Sequence, residues 1–357
     1  MSVGIDYKAA GVDMAGEGKA LSRLLAWLEP TEAFSACKVV LGPSDRHYAA
    51  VMDAGLGMGL ALSTDGVGTK LLIAEKLRRY DTVGIDCIAM NANDVVCVGA
   101  RPIAFLDYLA VQRVDAEFLD QLGKGLNEGA RQAGVAIPGG EIAQLPEMIT
   151  GDGTGFELAG MCVGIVALDR IVRGEALAPD DVVIGLASSG LHSNGYTLAR
   201  KALEGLSYTE VAPGMDRPLG DVLLEPTRMY VKSVLALLEK VPAHGLAHIT
   251  GDGLLNLLRL NAGVGFNIDA MPEPLPIFEL IRDRGKVTWE AMFETFNMGI
   301  GFCVMVGPED VPLAVEALTT AGENPVVIGS VTDEAGIVRV PAYKIVGQDG
   351  VFRASQA

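Results

Sequence analysis

Apolar residues follow two rhythms along this chain. Short continuous runs at 58–62, 182–187, 302–306 and 326–331 are bounded by glycine, proline or polar clusters, and they predict buried strands. Stretches 39–44, 104–111 and 156–168 predict further strands; the first ends in the turn Gly42-Pro43-Ser44-Asp45, the second carries Asp107, and glycine punctuates the third. The other rhythm is helical: residues 20–28, closed by Pro30, and 116–133, 229–239 and 308–321 place apolar side chains three and four apart. Shorter helical patterns lie at 71–74, 197–206 and 255–260. Residues 86–99 read as a helix buried on one side through Ile88, Val95 and Val96, interrupted by Asn91, Asn93 and Asp94. Polar side chains in such a place cost free energy unless paired, so these either line a cleft or sit at a hydrogen-bonded helix end. A short strand at 135–138 delivers Gly139-Gly140-Glu141 at its C-terminal end, where open α/β sheets place ligands.

Strands alternating with glycine turns and helices predict an α/β chain of α+β type. The charged, proline-containing segment 170–179 is the expected linker. The expected units are 1–170 and 171–345, followed by a mobile tail at 346–357.

Composition narrows the classes. The 357 residues, half of them apolar, suffice for about two cores. The 44 glycines show no collagen-like period, which favours many tight turns over a fibre. A formal charge of −17 argues against general affinity for nucleic acid or an anionic membrane, so any phosphate chemistry must use a few cations or metal ligands local to a cleft. Cys37, Cys87, Cys97, Cys162 and Cys303 are odd in number, scattered, and form no C-x-x-C pair; reduced, mostly buried thiols are expected. Residues 1–11 lack the basic and apolar regions of a secretory signal, and no apolar run approaches the roughly 20 residues of a membrane span. The expected location is the cytoplasm.

Candidate chemistry starts at Ser63-Thr64-Asp65-Gly66-Val67-Gly68-Thr69-Lys70, between a predicted strand and a predicted helix. Gly66 and Gly68 let backbone N–H groups approach an anion, Thr64 and Thr69 add hydroxyls, Lys70 can supply a point charge to a phosphate, and Asp65 can hold a divalent cation. The pattern is not a P-loop. A second strand–turn–helix follows in Ser188-Ser189-Gly190-Leu191-His192-Ser193-Asn194-Gly195-Tyr196, where His192 sits in a polar loop rather than on an apolar face. Asp65, Asp94, Glu141 and Asp252 each adjoin glycine or asparagine near an expected element end, although Asp252 reads equally well as a helix cap. An oxygen-only ligand set suits Mg²⁺ with bound phosphates, and no G-x-S-x-G elbow supports a serine hydrolase.

These residues carry a resemblance. The chain resembles the phosphoribosylformylglycinamidine cyclo-ligase (aminoimidazole ribonucleotide synthetase) family from Tyr7-Lys8-Ala9-Ala10-Gly11-Val12-Asp13 to about Ser330. The carrying motifs are 64–70, Gly84-Ile85-Asp86, Asn93-Asp94, Phe105-Leu106-Asp107-Tyr108, Gly139-Gly140-Glu141, Ala159-Gly160 with Cys162-Val163-Gly164, 188–196, Glu225-Pro226-Thr227-Arg228, Ala247-His248-Ile249-Thr250-Gly251 and Phe296-Asn297. The resemblance implies a homodimer whose N-terminal strands meet in a barrel, with a C-terminal sheet backed by helices. It implies ATP and Mg²⁺, with formylglycinamidine ribonucleotide closing to aminoimidazole ribonucleotide in purine synthesis. It implies that Asp65, Asp94 and Glu141 surround metal-bound phosphates, that Lys70 serves the phosphate, that Gly140 lines the nucleotide, and that His192, Ser193 and Asn194 form the substrate-side loop. His192 would transfer a proton or bind the 5′-phosphate or the activated oxygen; Asp252 resembles a metal-serving acid of the related thiamine-monophosphate kinases. Residues 42–48 stand where many family members have a Gly-rich loop, with His47 or Arg46 as substitutes, and 142–147 also depart from the common pattern. A small-molecule kinase and an inactive nucleotide-binding dimer are the alternatives.

Overall fold

The computed structural model describes residues 14–151, 155–261 and 263–355. The motif at 7–13 lies outside the described residues. The first unit runs α1 (Met14–Leu28), β1 (Val39–Leu41), β2 (Ala50–Gly55), β3 (Met58–Gly66), α2 (Leu71–Leu77), α3 (Val83–Cys97), β4 (Arg101–Val111), α4 (Ala116–Ala133), β5 (Ala136–Gln144) and β6 (Phe156–Ala167). The second runs β7 (Val182–Ala187), α5 (Tyr196–Ala202), α6 (Leu219–Leu223), α7 (Val231–Leu238), β8 (Gly245–His248), β9 (Gly265–Asn267), α8 (Pro276–Gly285), α9 (Trp289–Thr295), β10 (Ile300–Val306), α10 (Val311–Thr320), β11 (Val326–Thr332), β12 (Val338–Val340), β13 (Ile345–Gln348) and β14 (Val351–Ala354).

Among the described residues the strands form two sheets, ordered β1-β2-β3-β6-β4-β5 and β14-β13-β12-β9-β11-β7-β10-β8. In β6 the side chains alternate: Phe156, Leu158, Cys162 and Val166 are buried, while Met161, Val163 and Ile165 are half-buried on the other face. The buried face packs on α3, and α4 covers α3. Helix α4 starts where the Asp115 carboxylate accepts the Phe118 N–H at 2.9 Å and stops at Gly134, whose φ of 74° is left-handed. The α3–α4 crossing is close because Gly84 and Gly125 carry no side chain; a Cβ on either would overlap the facing backbone.

Every residue of α3 except Asp94 is buried. A helix enclosed on all sides belongs in a core, and α3 lies between the two units, touching β3, β4 and β6 on one side and β8 and α7 on the other. Asn91 and Asn93 lie inside this helix rather than at its end, and Asp94 opens its last turn.

Several expectations shift. Gly139-Gly140-Glu141 lies inside β5, an edge strand parallel to β4, rather than beyond a strand end. The expected helices 197–206 and 255–260 are a shorter α5 and a 3-10 segment, Gly253–Arg259. Residues expected as a mobile tail continue the second sheet: β13 and β14 form a hairpin, and Phe352 is 4% exposed against Phe293. The linker is packed, with the Val172 N–H donating to the Val98 carbonyl at 3.2 Å.

Candidate active site at the seam of the two sheets

Strand pairing sorts the predicted residues by face. Asp65, Gly160, Asp107 and Gly140 are register partners across β3, β6, β4 and β5, so they share the helix-facing side. Gly66, Ala159, Tyr108 and Glu141 form the next row and share the opposite side. Glu141 is exposed there, three strands from β3, and within one subunit the structure does not bring it to Asp65. Thr64 also faces outward, its hydroxyl donating to the Gly160 carbonyl at 2.9 Å.

Asp65 and Asp94 do meet. Burial, and next the neighbouring Asp94 charge, push the Asp65 carboxyl up to about 6. Asn91 Nδ2 donates to the Asp65 carbonyl at 3.2 Å, tying the end of β3 to α3. Asp94 is 16% exposed and is held from the second unit. Asn93 fixes the arrangement: its Oδ1 accepts the Tyr230 N–H at 2.9 Å and its Nδ2 donates to the Arg228 carbonyl at 2.9 Å. The same Nδ2 lies 3.4 Å from His248 Nε2, which must therefore accept, leaving the His248 proton on Nδ1. That Nδ1–H donates to Asp94 Oδ1 at 2.9 Å, while Ser63 Oγ donates to Oδ2 at 3.5 Å. The Asp94 carboxylate, near enough to raise the Asp65 carboxyl, is thus oriented by a fully buried histidine. Burial also raises the Asp107 carboxyl, in the same row as Asp65.

The second constellation is closed. Lys70 is fully buried, and its ammonium donates to Asp86 Oδ1 at 2.8 Å, the Glu225 carbonyl at 2.6 Å and the His192 carbonyl at 3.2 Å. Three contacts use its three donors, so Lys70 binds the protein and is not aimed at a phosphate. Asp86 Oδ1 also accepts from the Thr227 N–H and hydroxyl, each at 2.7 Å, and from Ser193 Oγ at 3.4 Å. Burial pushes the Asp86 carboxyl up and the Lys70 ammonium down; their mutual contact opposes both shifts.

His192 is 1% exposed in a left-handed conformation, φ 62°. Its Nε2 accepts the Ser189 N–H at 3.1 Å, and burial holds the ring neutral, far below the usual histidine range. A side chain on Gly301 would overlap its Cε1 and the Tyr230 hydroxyl, so the ring fills a fitted space. Asn297 pins the rest of the loop: its Oδ1 accepts from Ser188 Oγ and its Nδ2 donates to the Gly190 carbonyl, both at 2.9 Å. Asn194 Oδ1 is buried without a partner among the described residues, beside Gly251. Asp252, φ 68°, precedes the 3-10 segment, its N–H donating to the Glu294 carbonyl at 3.1 Å. Thr69 reaches across to Thr197, hydroxyl to hydroxyl at 3.1 Å. Loop 42–48 is clamped by Arg259, which donates to the Arg46 and His47 carbonyls and stacks 4.5 Å over Tyr48. Burial lowers the His47 ring to about 4. Among the described residues, no group of three or more His, Cys, Asp or Glu is arranged to hold a metal ion.

The residues missed by sequence reasoning are His248 and Asp86, each present in a motif but unassigned; Asn93, expected to line a cleft or a helix end, ties α3 to the backbone at Arg228 and Tyr230. Their signal was polarity inside apolar surroundings.

Two family models match the chain: the N-terminal domain of AIR synthase related proteins over residues 46–166, and the C-terminal domain over 178–340. A phosphoribosylformylglycinamidine cyclo-ligase of Methanothermobacter thermautotrophicus is 48% identical over 95% of this chain and 97% of its own length. One from Pyrococcus horikoshii is 46% identical, over 96% and 99% respectively. Among solved structures, a thiamine-monophosphate kinase from Stenotrophomonas maltophilia K279a has a TM-score of 0.60 at 21% identity, covering 87% of this chain and 93% of that one. AaThiL complexed with AMPPCP and TMP also scores 0.60, at 17% identity over 86% and 91%. These structures share the fold. At 46–48% identity over nearly the whole length, the chain belongs to the phosphoribosylformylglycinamidine cyclo-ligase family.

Proposed function

We propose that this protein uses ATP to close formylglycinamidine ribonucleotide into aminoimidazole ribonucleotide, releasing ADP and phosphate. Family membership supplies the reaction. The observation that carries it is the placing of Asp94, through His248 and Ser63, beside the end of β3, where burial and the Asp94 charge raise the Asp65 carboxyl to about 6. Two neighbouring carboxylates fit a divalent cation. Mg²⁺ is commonly held by one or two carboxylates plus substrate phosphates, so the lack of a three-ligand cluster among the described residues agrees with that fit. Bound there, Mg²⁺ would neutralise charge on the transferring phosphates.

The chemistry follows from leaving groups. The formyl oxygen takes the terminal phosphoryl group of ATP, and ADP departs. The amidine nitrogen then attacks the formyl carbon, loses its proton, and expels phosphate. This ring closure is intramolecular, which removes much of the entropic barrier. On this reading, Asp65 and Asp94 hold the nucleotide's cation, and His248 with Ser63 keeps Asp94 aimed. Lys70 and Asp86 join the 63–70 turn to the 188–196 loop, so the nucleotide and the ribonucleotide are held in fixed register. The Asn194 amide, with its free carbonyl oxygen, is the group of that loop best placed to take a substrate N–H.

A cytoplasmic homodimer completes the proposal. The outer face of the first sheet presents Leu60, Leu62, Met161, Val163, Leu106 and Tyr108, half-buried or exposed on one side, which supports burial against a second copy. The test is incubation with ATP, Mg²⁺ and formylglycinamidine ribonucleotide. Aminoimidazole ribonucleotide with stoichiometric ADP supports the reading; phosphorylation of thiamine monophosphate without cyclised product overturns it.

A further inference from the structure

The site above accounts for the nucleotide's cation but leaves open what receives the ribonucleotide's own phosphate, because Lys70 is saturated by protein. A groove of about 1020 Å³ opens beside it, between α2 and α5. These are the two helices that follow the 63–70 turn and the 188–196 loop, and the groove begins at Thr197, which touches Thr69 at 3.1 Å. Lys76 and Arg78 line one wall, Arg200 and Lys201 the other. Arg200 stands one turn beyond Thr197, about 5 Å along the helix. Lys76 rests 4.9 Å over the Tyr208 ring, and Lys76, Arg78 and Arg200 make no ion pair among the described residues. Two acids share the lining; Glu75 accepts the Gly155 N–H at 2.9 Å, and Glu204 is exposed. Among the described residues four cations, of which Lys201 has a partner of its own, line the groove with two acids, in a chain of charge −17.

We infer that this groove receives the phosphomonoester of the ribonucleotide substrate; the inference rests on the reaction proposed above. The chain then divides its anion recognition. Carboxylates at Asp65 and Asp94 take a polyphosphate through a metal ion, and guanidinium and ammonium groups take a metal-free phosphate directly, with the planar Arg200 fork suited to two oxygens at once. The groove adjoins both the phosphate turn and the substrate loop, so a ribonucleotide anchored there by its phosphate can extend its base-forming end toward Asn194 and the seam.

Arg200→Gln and Lys76→Gln test this, with Lys124→Gln on the exposed face of α4 as the control for charge loss. The expected result is a KM for formylglycinamidine ribonucleotide raised roughly 10-fold or more in each groove variant, with the KM for ATP and kcat within about twofold of wild type. An unchanged ribonucleotide KM in an active enzyme overturns the groove assignment and leaves the proposed reaction standing. Calorimetric titration with ribose 5-phosphate, ribose and inorganic phosphate tests the groove without turnover. Ribose 5-phosphate bound more tightly than either fragment, and weakened in both groove variants, supports the assignment even if the reaction proves different. Equal binding of inorganic phosphate and ribose 5-phosphate, or equal ribose 5-phosphate binding by wild type and variants, overturns it.

Discussion

Two ionic constellations are built on α3, one at Asp86 and one at Asp94, and their difference is instructive. At Lys70–Asp86 opposite charges meet, both are fully buried, and backbone and hydroxyl partners converge on the ammonium and on Asp86 Oδ1, while Oδ2 has no partner among the described residues. At Asp65–Asp94 like charges are neighbours and Asp94 is 16% exposed; among the described residues they are offset by hydrogen bonds from His248, Ser63 and the Gly66 N–H and, for Asp65, by the more distant Arg259 charge. A pair of opposite charges is architecture: it ties the 63–70 turn and α3 to the 188–196 loop. A pair of like charges is held in place by the surrounding fold and is stabilised when something positive arrives. Both constellations contain residues that the sequence marks equally as site candidates, and only partner geometry separates them.

The sharpest way to break this contrast is Asp86→Ala. It leaves a buried ammonium without its carboxylate, and a loss of about 3–5 kcal/mol in urea unfolding is expected. Adding Lys70→Met in that background should recover part of the loss, as a double-mutant cycle would register. A loss below about 1 kcal/mol would mean that Lys70 is not locked. At the other constellation, His248→Asn should leave stability nearly intact while weakening Mg²⁺-dependent nucleotide binding roughly 10- to 100-fold, the usual effect of removing an outer-shell partner; unchanged affinity in a calorimetric titration would detach His248 from the site.

A pH series separates the regions further. In metal-free protein the folded Asp65 carboxyl titrates near 6, above the ordinary carboxylate range. Stability from its protonated form is present at pH below that ordinary range and is lost as pH rises through about 6, by roughly 3 kcal/mol at most. Asp65→Asn should flatten that decline between pH 4 and 7 in chelator; parallel curves would contradict the assigned cause. The smallest effect expected is at the clamp: Arg259→Gln should cost about 1 kcal/mol through its carbonyl bonds and its stack on Tyr48, read as a lower unfolding midpoint.

Much of the fold is visible in hydrophobic rhythm. Helix α4 and strand β7 match their expected bounds because an amphipathic repeat and a continuous apolar run each have one reading. Strand β8 escapes, since four residues ending in a buried histidine carry too little pattern. The β13–β14 hairpin escapes because its alternation is short and partly exposed. At the site, glycine-flanked acids were legible as a class, but their faces were not. Whether Glu141 shares a side with Asp65 depends on strand register set by β6, about a hundred residues downstream of β3. Lys70 was read as a phosphate ligand because its partners come from loops 122 and 155 residues away.

The most direct test of the central contrast is a calorimetric titration of wild type, Asp65→Asn and Lys70→Met with a non-hydrolysable ATP analogue and Mg²⁺, paired with thermal unfolding of each. The account predicts that Asp65→Asn loses more than about 100-fold in affinity while its unfolding temperature holds or rises. Lys70→Met should show the reverse, a lower unfolding temperature with nucleotide affinity kept wherever the protein remains folded. Wild-type affinity in Asp65→Asn, or an affinity collapse in a stably folded Lys70→Met, would contradict it.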